Sequence, residues 1–338
     1  MAGRRHLPVL DLRDKSDRAV TYLRLSLTDR CNYRCTYCMP ESGVALLPKE
    51  NILDFEEIER LCQVFAGLGV RRIRLTGGEP TIRKRVVELV KRIASVSGIE
   101  EVVMTTNGHR LPELAWDLLA AGLRGVNVSL DTLDEKKFRL LTRRGDLNRV
   151  VTGIEAARSA GLSVKVNTVL LRSQNIDELG SLCAFAWDND ALPRFIEHMP
   201  MSGGDIFTRD DHVSAAEVRE RIADHFGERL VAGDGTEIAG PAKYWTLERT
   251  KRRFGIISAM TEHFCGTCNR VRLSATGDLH TCLAYDDATS LRELLRGGAT
   301  DEAVAAAIRR AVGVKRDGHD FQLSGAGAPR KHMISIGG

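Results

Sequence analysis

The sequence lacks a long apolar run. Nowhere do about 18 consecutive apolar residues occur, so no membrane-spanning helix is expected. The first twenty residues also lack the apolar core of a secretory signal. Charge of one sign is not in excess either, because 49 Lys and Arg against 45 Asp and Glu give a net charge of +4. We therefore expect a cytoplasmic protein that binds neither membranes nor nucleic acid.

Eight cysteines are present, and without an export signal they indicate metal ligands or catalytic thiols rather than disulfides. Six of them form two triplets: C-x3-C-x2-C at Cys31, Cys35 and Cys38, and C-x2-C-x13-C at Cys265, Cys268 and Cys282. The other two, Cys62 and Cys183, fall on the apolar faces of predicted helices. We expect both of these to be core residues.

Short apolar runs alternate with amphipathic stretches from residue 22 to about residue 204. Strands are predicted at 22–28, 71–76, 101–106, 125–130, 163–171 and 194–199, and helices are predicted to begin near Asp54, Arg83, Pro112, Leu147 and Asn175. Crossover helices make such strands parallel. Because six units are fewer than the eight of a closed barrel, the expected fold is α/β, a partial (βα)6 TIM-like barrel. Residues 1–21 precede it as an N-terminal segment, and 205–338 form a smaller C-terminal region.

The first triplet follows directly after the first predicted strand, where parallel α/β folds build their sites. Three thiolates leave one iron of a four-iron cluster open for a ligand. The alternative is a zinc site completed by a His or Asp elsewhere. The run TGGEP at 76–80 follows the second strand. Its glycines, Gly77 and Gly78, would let the main chain approach a ligand, and Glu79 offers an acceptor for an ammonium group.

The triplet with Tyr37 before its last cysteine, followed by GGEP, resembles the radical S-adenosylmethionine enzymes. The resemblance implies a [4Fe-4S] cluster on Cys31, Cys35 and Cys38, with S-adenosylmethionine chelating the open iron. It also implies four residues that contact S-adenosylmethionine, namely Tyr37, Gly78, Ser129 and Met199.

The second triplet lies in FCGTCNRVRLSATGDLHTCL, where the cysteines stand beside two arginines. Three thiolates again leave an iron open, and the forked guanidinium groups of Arg270 and Arg272 suit a phosphorylated or carboxylated ligand. The alternative is a zinc ribbon that recruits His280 as its fourth ligand.

From Leu23 to Gly338 the chain is similar to the subfamily of radical S-adenosylmethionine enzymes that cyclise GTP at the first step of molybdenum-cofactor biosynthesis. The resemblance rests on LRLSLTDRCNYRCTYCMP, IRLTGGEP, TTNG, NVSLD, VKVN, RFIE, FCGTCNRVRLS and the terminal Gly-Gly. It implies abstraction of the ribose 3′ hydrogen, bond formation between C3′ and C8, and a second [4Fe-4S] cluster on Cys265, Cys268 and Cys282. The implied GTP contacts are Arg24, Arg74, Thr105, Lys165, Arg194, Arg270, Val271 and Arg272.

The same resemblance implies an electron donor of unknown identity and a downstream pterin synthase that receives the product. It also implies a C-terminal tail that reaches into the active site, whereas an exposed Gly-Gly end is ordinarily frayed. The stretch HMPMSGGDIF after RFIE departs from the subfamily pattern and leaves local detail of the cavity open. Oligomeric state stays open, with a homodimer as one alternative. Two other function classes remain, a peptide-modifying radical enzyme and a non-catalytic zinc-binding interaction protein.

Overall fold

The computed structural model describes residues 11–233 and 240–337. Half of the N-terminal segment expected at 1–21 and the final Gly338 therefore lie outside the described residues. Six strands follow one another in chain order and pair in parallel: β1 (Tyr22–Ser26), β2 (Arg72–Thr76), β3 (Glu101–Thr106), β4 (Leu123–Ser129), β5 (Ser163–Leu170) and β6 (Leu192–Glu197). Each predicted strand is confirmed, with ends that differ by a few residues.

Helices connect these strands, as their apolar periodicity predicts. They are α1 (Phe55–Gly67), α2 (Val86–Ala94), α3 (Leu111–Ala120), α4 (Glu135–Thr142), α5 (Leu147–Ala160) and α6 (Leu179–Asp188). Asp54 and Glu57 form a reciprocal capping box that fixes the start of α1. Gly161 ends α5 with φ of 96°, in the left-handed region that glycine adopts without strain. The short, highly charged α4 was not predicted, since eight residues give little periodicity to detect.

The C-terminal region extends this sheet at both edges. It contributes β7 (Leu230–Ala232), β8 (Lys243–Leu247), β9 (Arg253–Ile257), β10 (Arg270–Leu273), β11 (Asp278–His280) and β12 (Thr289–Ser290), with helices α7 (Ala215–Phe226), α8 (Leu291–Arg296) and α9 (Asp301–Gly313). β9 pairs in parallel with β6, and β10 pairs in parallel with β1. Within the described residues the sheet therefore has 12 strands, of which the eight central ones are parallel and the outer pairs antiparallel.

The sequence did not predict these outer strands, whereas the six strands that it did predict pair in parallel as expected. β9 and β10 are five and four residues long. In the described part of the chain, no α-helix follows either strand before the next strand begins. The alternation that marks a βα unit is therefore absent at these positions.

The core lies between the sheet and the helices that cover its outer face. Cys62 and Cys183 are buried in it, as predicted, with exposed fractions of 1% and 0%. Among the described residues there is no helix with the length and apolar character that a bilayer crossing requires.

Candidate active site

A single cavity of about 330 Å³ is lined by all six cysteines of the two triplets. The parallel strands build its wall, and every one of the eight contributes at least one lining residue: Arg24, Arg74, Thr105, Asn127, Asn167, Arg194, Ile257 and Arg272. On β1, β2, β4, β5 and β10 the lining positions are two residues apart, because alternate side chains share one face of a sheet. At the ends of β3 and β6 two adjacent residues line the cavity. Every residue predicted to contact S-adenosylmethionine or GTP lines this cavity, except Lys165 and Val271.

The loop that carries Cys31, Cys35 and Cys38 is a tight turn, and a backbone hydrogen bond anchors it to the end of α4. The amide of Cys38 donates to the carbonyl of Cys35 at 3.0 Å, and the amide of Arg34 donates to the carbonyl of Thr142 at the end of α4 at 3.0 Å. Burial raises the pKa of Cys31 to about 11 and that of Cys38 to about 12. In this apolar setting the thiolate form needs a compensating metal charge. The donor set, three thiols facing one cavity, fits an iron–sulfur cluster with an open iron.

The GGEP loop packs directly on the chain that leads to Cys31. The amide of Gly78 donates to the carbonyl of Thr28 at 2.7 Å, and the amide of Glu79 donates to the carbonyl of Arg30 at 2.8 Å. A Cβ atom at Gly78 would lie 2.1 Å from the carbonyl oxygen of Arg30. The close approach of the Arg30 backbone therefore requires glycine at position 78, whether or not a ligand also contacts this residue.

Glu79 is buried and already accepts four hydrogen bonds. Its Oε1 accepts from the amide of Thr81 at 3.0 Å and from the hydroxyls of Thr81 and Thr106 at 2.6 and 2.7 Å. Its Oε2 accepts from the amide of Asn107 at 2.7 Å. Burial raises the pKa of this carboxyl. The bonds fix the carboxylate in place and leave Oε2 able to accept one more donor, such as an ammonium group.

Tyr37, Ser129 and Met199 also line the cavity, near an aspartate that sequence reasoning did not assign. The hydroxyl of Tyr37 donates to Asp131 Oδ2 at 2.6 Å, and the amide of Val169 donates to Asp131 Oδ1 at 2.9 Å. Burial raises the pKa of Asp131 to about 6. Its place two residues beyond the end of β4 was the signal that could have revealed it, since sites form at strand ends.

The second triplet has a different electrostatic setting. Burial opposes ionisation of Cys268, but the charges of Arg270 and Lys315 outweigh it and lower the pKa of this thiol to about 7. Arg270 lies 3.9 Å from the Cys268 sulfur through Nη2, and its guanidinium stacks on Phe264 at 5.1 Å from the ring centroid. These three cysteines, which all line the cavity, also form a donor set that would fit an iron–sulfur cluster with an open iron.

Three arginines stand side by side on the cavity wall. Arg24 on β1 is directly opposite Arg74 on β2 and Arg272 on β10 in the strand register. Burial, and then the charge of Arg272, lower the pKa of Arg24, and burial with Arg270 lowers the pKa of Arg272 to about 10. Like charges at directly opposed positions destabilise a sheet. The row is therefore suited to an anionic ligand.

The C-terminal tail reaches this row. The carbonyl of Gly337 accepts from Arg24 Nη2 at 3.1 Å and from Arg272 Nη1 at 3.5 Å. Ile334 and Ile336 are buried, so the tail is anchored rather than frayed. Gly337 has φ of 78°, and a Cβ atom there would lie 2.3 Å from the hydroxyl of Thr76.

Two residues predicted to contact GTP, Lys165 and Val271, are not among the residues that line the cavity. Val271 is buried on the opposite face of β10 from Arg270 and Arg272. Lys165 lies on β5 with its ammonium 5.9 Å from the ring centroid of Tyr244, and burial lowers its pKa. In contrast, Arg194 lines the cavity and donates to Asn167 Oδ1 at 2.9 Å. Asn127, Asn167 and Lys315 line it too, although sequence reasoning missed all three.

Two family models match the chain in succession. The Radical SAM superfamily model matches residues 25–186, and the Molybdenum Cofactor Synthesis C model matches 193–321. GTP 3′,8-cyclase of Caulobacter vibrioides is 46% identical over 96% of this chain and 93% of its own length. The enzyme of that name from Paracoccus denitrificans is 43% identical over 98% of this chain and 96% of its own length. The chain belongs to the GTP 3′,8-cyclase family.

Two solved structures share the fold of this GTP 3′,8-cyclase family member. Streptococcus suis SuiB bound to S-adenosylmethionine superposes with a TM-score of 0.57 at 17% identity, over 86% of this chain and 69% of that one. SuiB bound to the precursor peptide SuiA gives 0.56 at 16% identity, over 80% of this chain and 61% of that one. At such identities the likeness concerns the α/β fold alone.

Proposed function

We propose that this protein is a radical S-adenosylmethionine enzyme that converts GTP to (8S)-3′,8-cyclo-7,8-dihydroguanosine 5′-triphosphate, the first step of molybdenum-cofactor biosynthesis. The observation that carries the proposal is one cavity that joins two three-cysteine sets across a row of arginines, in a chain of the GTP 3′,8-cyclase family. The cofactors are two [4Fe-4S] clusters and S-adenosylmethionine. When bound, they supply the radical chemistry that removes the 3′ hydrogen of GTP so that C3′ can bond to C8.

The residues around Cys31, Cys35 and Cys38 would hold S-adenosylmethionine. Gly78 and Glu79 present a backbone edge and one free carboxylate lone pair, which suit the amino group of the methionine moiety. Tyr37, Ser129 and Met199 face the same cavity. The bond from Tyr37 to Asp131 fixes the ring beside Cys38, so Tyr37 acts mainly by positioning.

The arginine row would bind the triphosphate. Guanidinium groups hold phosphate oxygens by charge-assisted, often paired, hydrogen bonds. Arg24, Arg74 and Arg272 supply the central part of the site, and the residues that support it from either side are Thr105, Arg194 and Arg270. Val271 would contribute through its backbone, and Lys165 would add long-range positive charge.

The second cluster would face the guanine base. Cys265, Cys268 and Cys282 line the cavity together with Arg270 and Arg272, so a cluster held by these cysteines would lie near a nucleotide held by those arginines. An isotopically labelled guanine nitrogen should therefore show magnetic coupling to the reduced second cluster. Absence of coupling would make this cluster an electron relay only.

The architecture serves this chemistry by enclosing the reacting atoms. We propose that residues 22–204 form a partial (βα)6 TIM-like barrel that generates the radical, and that 205–338 close it with the second cluster and the tail. Convergence of side chains from all eight parallel strands on one cavity supports this division. Radical chemistry requires close approach of the reacting carbons without water. We further propose a cytoplasmic enzyme, a separate electron donor, transfer of product to a pterin synthase, and a homodimer.

The deciding experiment uses GTP deuterated at the ribose 3′ position. Anaerobically reconstituted, reduced protein is incubated with S-adenosylmethionine and each of GTP, ATP and GDP, and products are identified by mass spectrometry. Deuterium should appear in 5′-deoxyadenosine, with the cyclised nucleotide formed from GTP. Deuterium transfer from another ribose position, or cleavage of S-adenosylmethionine without transfer, would refute the proposed reaction.

A further inference from the structure

Lys315 is a lysine with an almost wholly buried side chain. It follows α9 by two residues, is 2% exposed and lines the cavity beside the second triplet. Lysine is rarely buried to this degree unless its ammonium group is paired. Partners for the Lys315 ammonium group are therefore expected within the protein.

All three N–H donors of the ammonium group are used within the protein. Nζ donates to the sulfur of Cys268 at 3.6 Å, to the carbonyl of Arg270 at 3.2 Å and to the carbonyl of Thr281 at 2.5 Å. An ammonium group has three donors and no acceptor. Lys315 thus has no donor left for a phosphate, which separates it from the arginine row.

These bonds join two segments that carry cysteines of the second triplet. Cys268 lies in the loop before β10 and Arg270 is the first residue of that strand, whereas Thr281 directly precedes Cys282 after β11. One buried side chain therefore fixes the spacing of the two segments. Residues that orient metal ligands in this way tune both metal binding and metal properties.

Within the part of the chain that the structure describes, Cys268 is the only hydrogen-bond partner of Lys315 that can become anionic. Among the described residues, no carboxylate forms an ion pair with its ammonium, and its two oxygen acceptors are neutral carbonyls. An unpaired buried charge costs several kcal/mol. The thiolate of Cys268 is the group in contact that can balance it.

We propose that Lys315 is a positioning residue of the second iron–sulfur cluster, which holds the Cys268 and Cys282 segments in place and raises the reduction potential of that cluster. The inference rests on the proposed function, since it requires a cluster on this triplet. Reduction adds negative charge to a cluster, and a hydrogen-bonded cation at its sulfur stabilises the added charge. Arg270 contacts the same sulfur at 3.9 Å, and its charge acts in the same direction, so Lys315 adds to the effect of Arg270.

The test is a potentiometric titration of the second cluster, followed by electron paramagnetic resonance. It uses the full chain with Cys31, Cys35 and Cys38 all replaced by Ala, so that the second cluster gives the only signal. Lys315→Met removes charge and donor, Lys315→Gln keeps a donor, and the exposed Lys136→Met serves as control. We expect Lys315→Met to lower the equilibrium constant for reduction of the second cluster about tenfold. For a one-electron couple this lowers the reduction potential by about 59 mV. Lys315→Gln should shift the potential less, and Lys136→Met should not shift it.

Each outcome bears on the proposal. Loss of the second cluster in Lys315→Met alone, with iron retained in Lys315→Gln at a lowered potential, would support it. Unchanged potentials in both variants at full iron content would overturn it. Loss of the circular dichroism of the metal-free protein in both variants would also overturn it, because Lys315 would then serve the fold at large. A parent chain that assembles no second cluster would refute the proposed function itself, and the inference with it.

Discussion

Gly78 allows a sharp test of how the first cysteine loop is held. A Cβ atom at this position would lie 2.1 Å from the carbonyl oxygen of Arg30, and Cβ atoms essentially never approach such atoms within 3.0 Å. In Gly78→Ala the loop must therefore retreat by at least 3.0 − 2.1 = 0.9 Å. The 2.8 Å bond from the amide of Glu79 to the same carbonyl would then be lost.

The energetic cost follows from two effects. Overpacking of a tight site costs about 1–3 kcal/mol, and loss of the hydrogen bond costs about 0.5–1.5 kcal/mol. The free energy of unfolding should fall by their sum, about 1.5–4.5 kcal/mol. Because the atoms that must move adjoin Cys31, the first cluster should be lost while the second is retained.

Gly266→Ala is the matched control. Gly266 lies between the first two cysteines of the second triplet, and a Cβ atom there would have no neighbour within 4 Å. Urea denaturation of the metal-free protein measures stability, and iron analysis with electron paramagnetic resonance measures each cluster. If Gly78→Ala keeps both clusters and the stability of the Gly266→Ala control, the packing explanation is wrong and the glycine serves only the bound ligand.

Three further predictions concern the site. Replacing Cys31 with Ala should abolish formation of 5′-deoxyadenosine, measured by chromatography, while the second cluster persists. Arg272→Ala should weaken GTP binding by about 1.5–3 kcal/mol, measured by equilibrium dialysis; an unchanged affinity would remove Arg272 from the site. Asp131, with its pKa raised from 3.8 to about 6 by burial, holds a proton when folded that the unfolded chain has lost. The contribution of Asp131 to the free energy of unfolding should therefore fall by up to about 3 kcal/mol as pH rises from 4 to 6, and the difference between the wild type and Asp131→Asn in urea titrations should show it.

The sequence predicts the six central strands and most of their helices because each strand is continuous in the chain and followed by a helix of clear period. It misses β9 and β10, which are short and take their place in the sheet only through long-range pairing with β6 and β1. Pairing between distant segments leaves no local periodicity to read.

The same distinction applies to the site. The cysteines and GGEP are recognisable as motifs, and the carry-over from the radical S-adenosylmethionine enzymes named residues that the cavity brings together. Lys315 had no local signal, because its role depends on contacts with Cys268 and Thr281, more than thirty residues away in the chain. Lys165 and Val271 show the reverse case, since both lie within matching motifs but stand outside the cavity wall.

The arginine row destabilises the fold by charge repulsion, and the proposed function explains why it is there. Strand register places Arg24 between Arg74 and Arg272, so three guanidinium groups share one face of the sheet. Their mutual repulsion opposes folding, and hydrogen bonds such as those to the carbonyl of Gly337 offset part of it. A triphosphate would place negative charge along the whole row. A bound GTP would thus relieve the repulsion among these arginines, which accounts for like-charged residues at directly opposed positions in this part of the sheet.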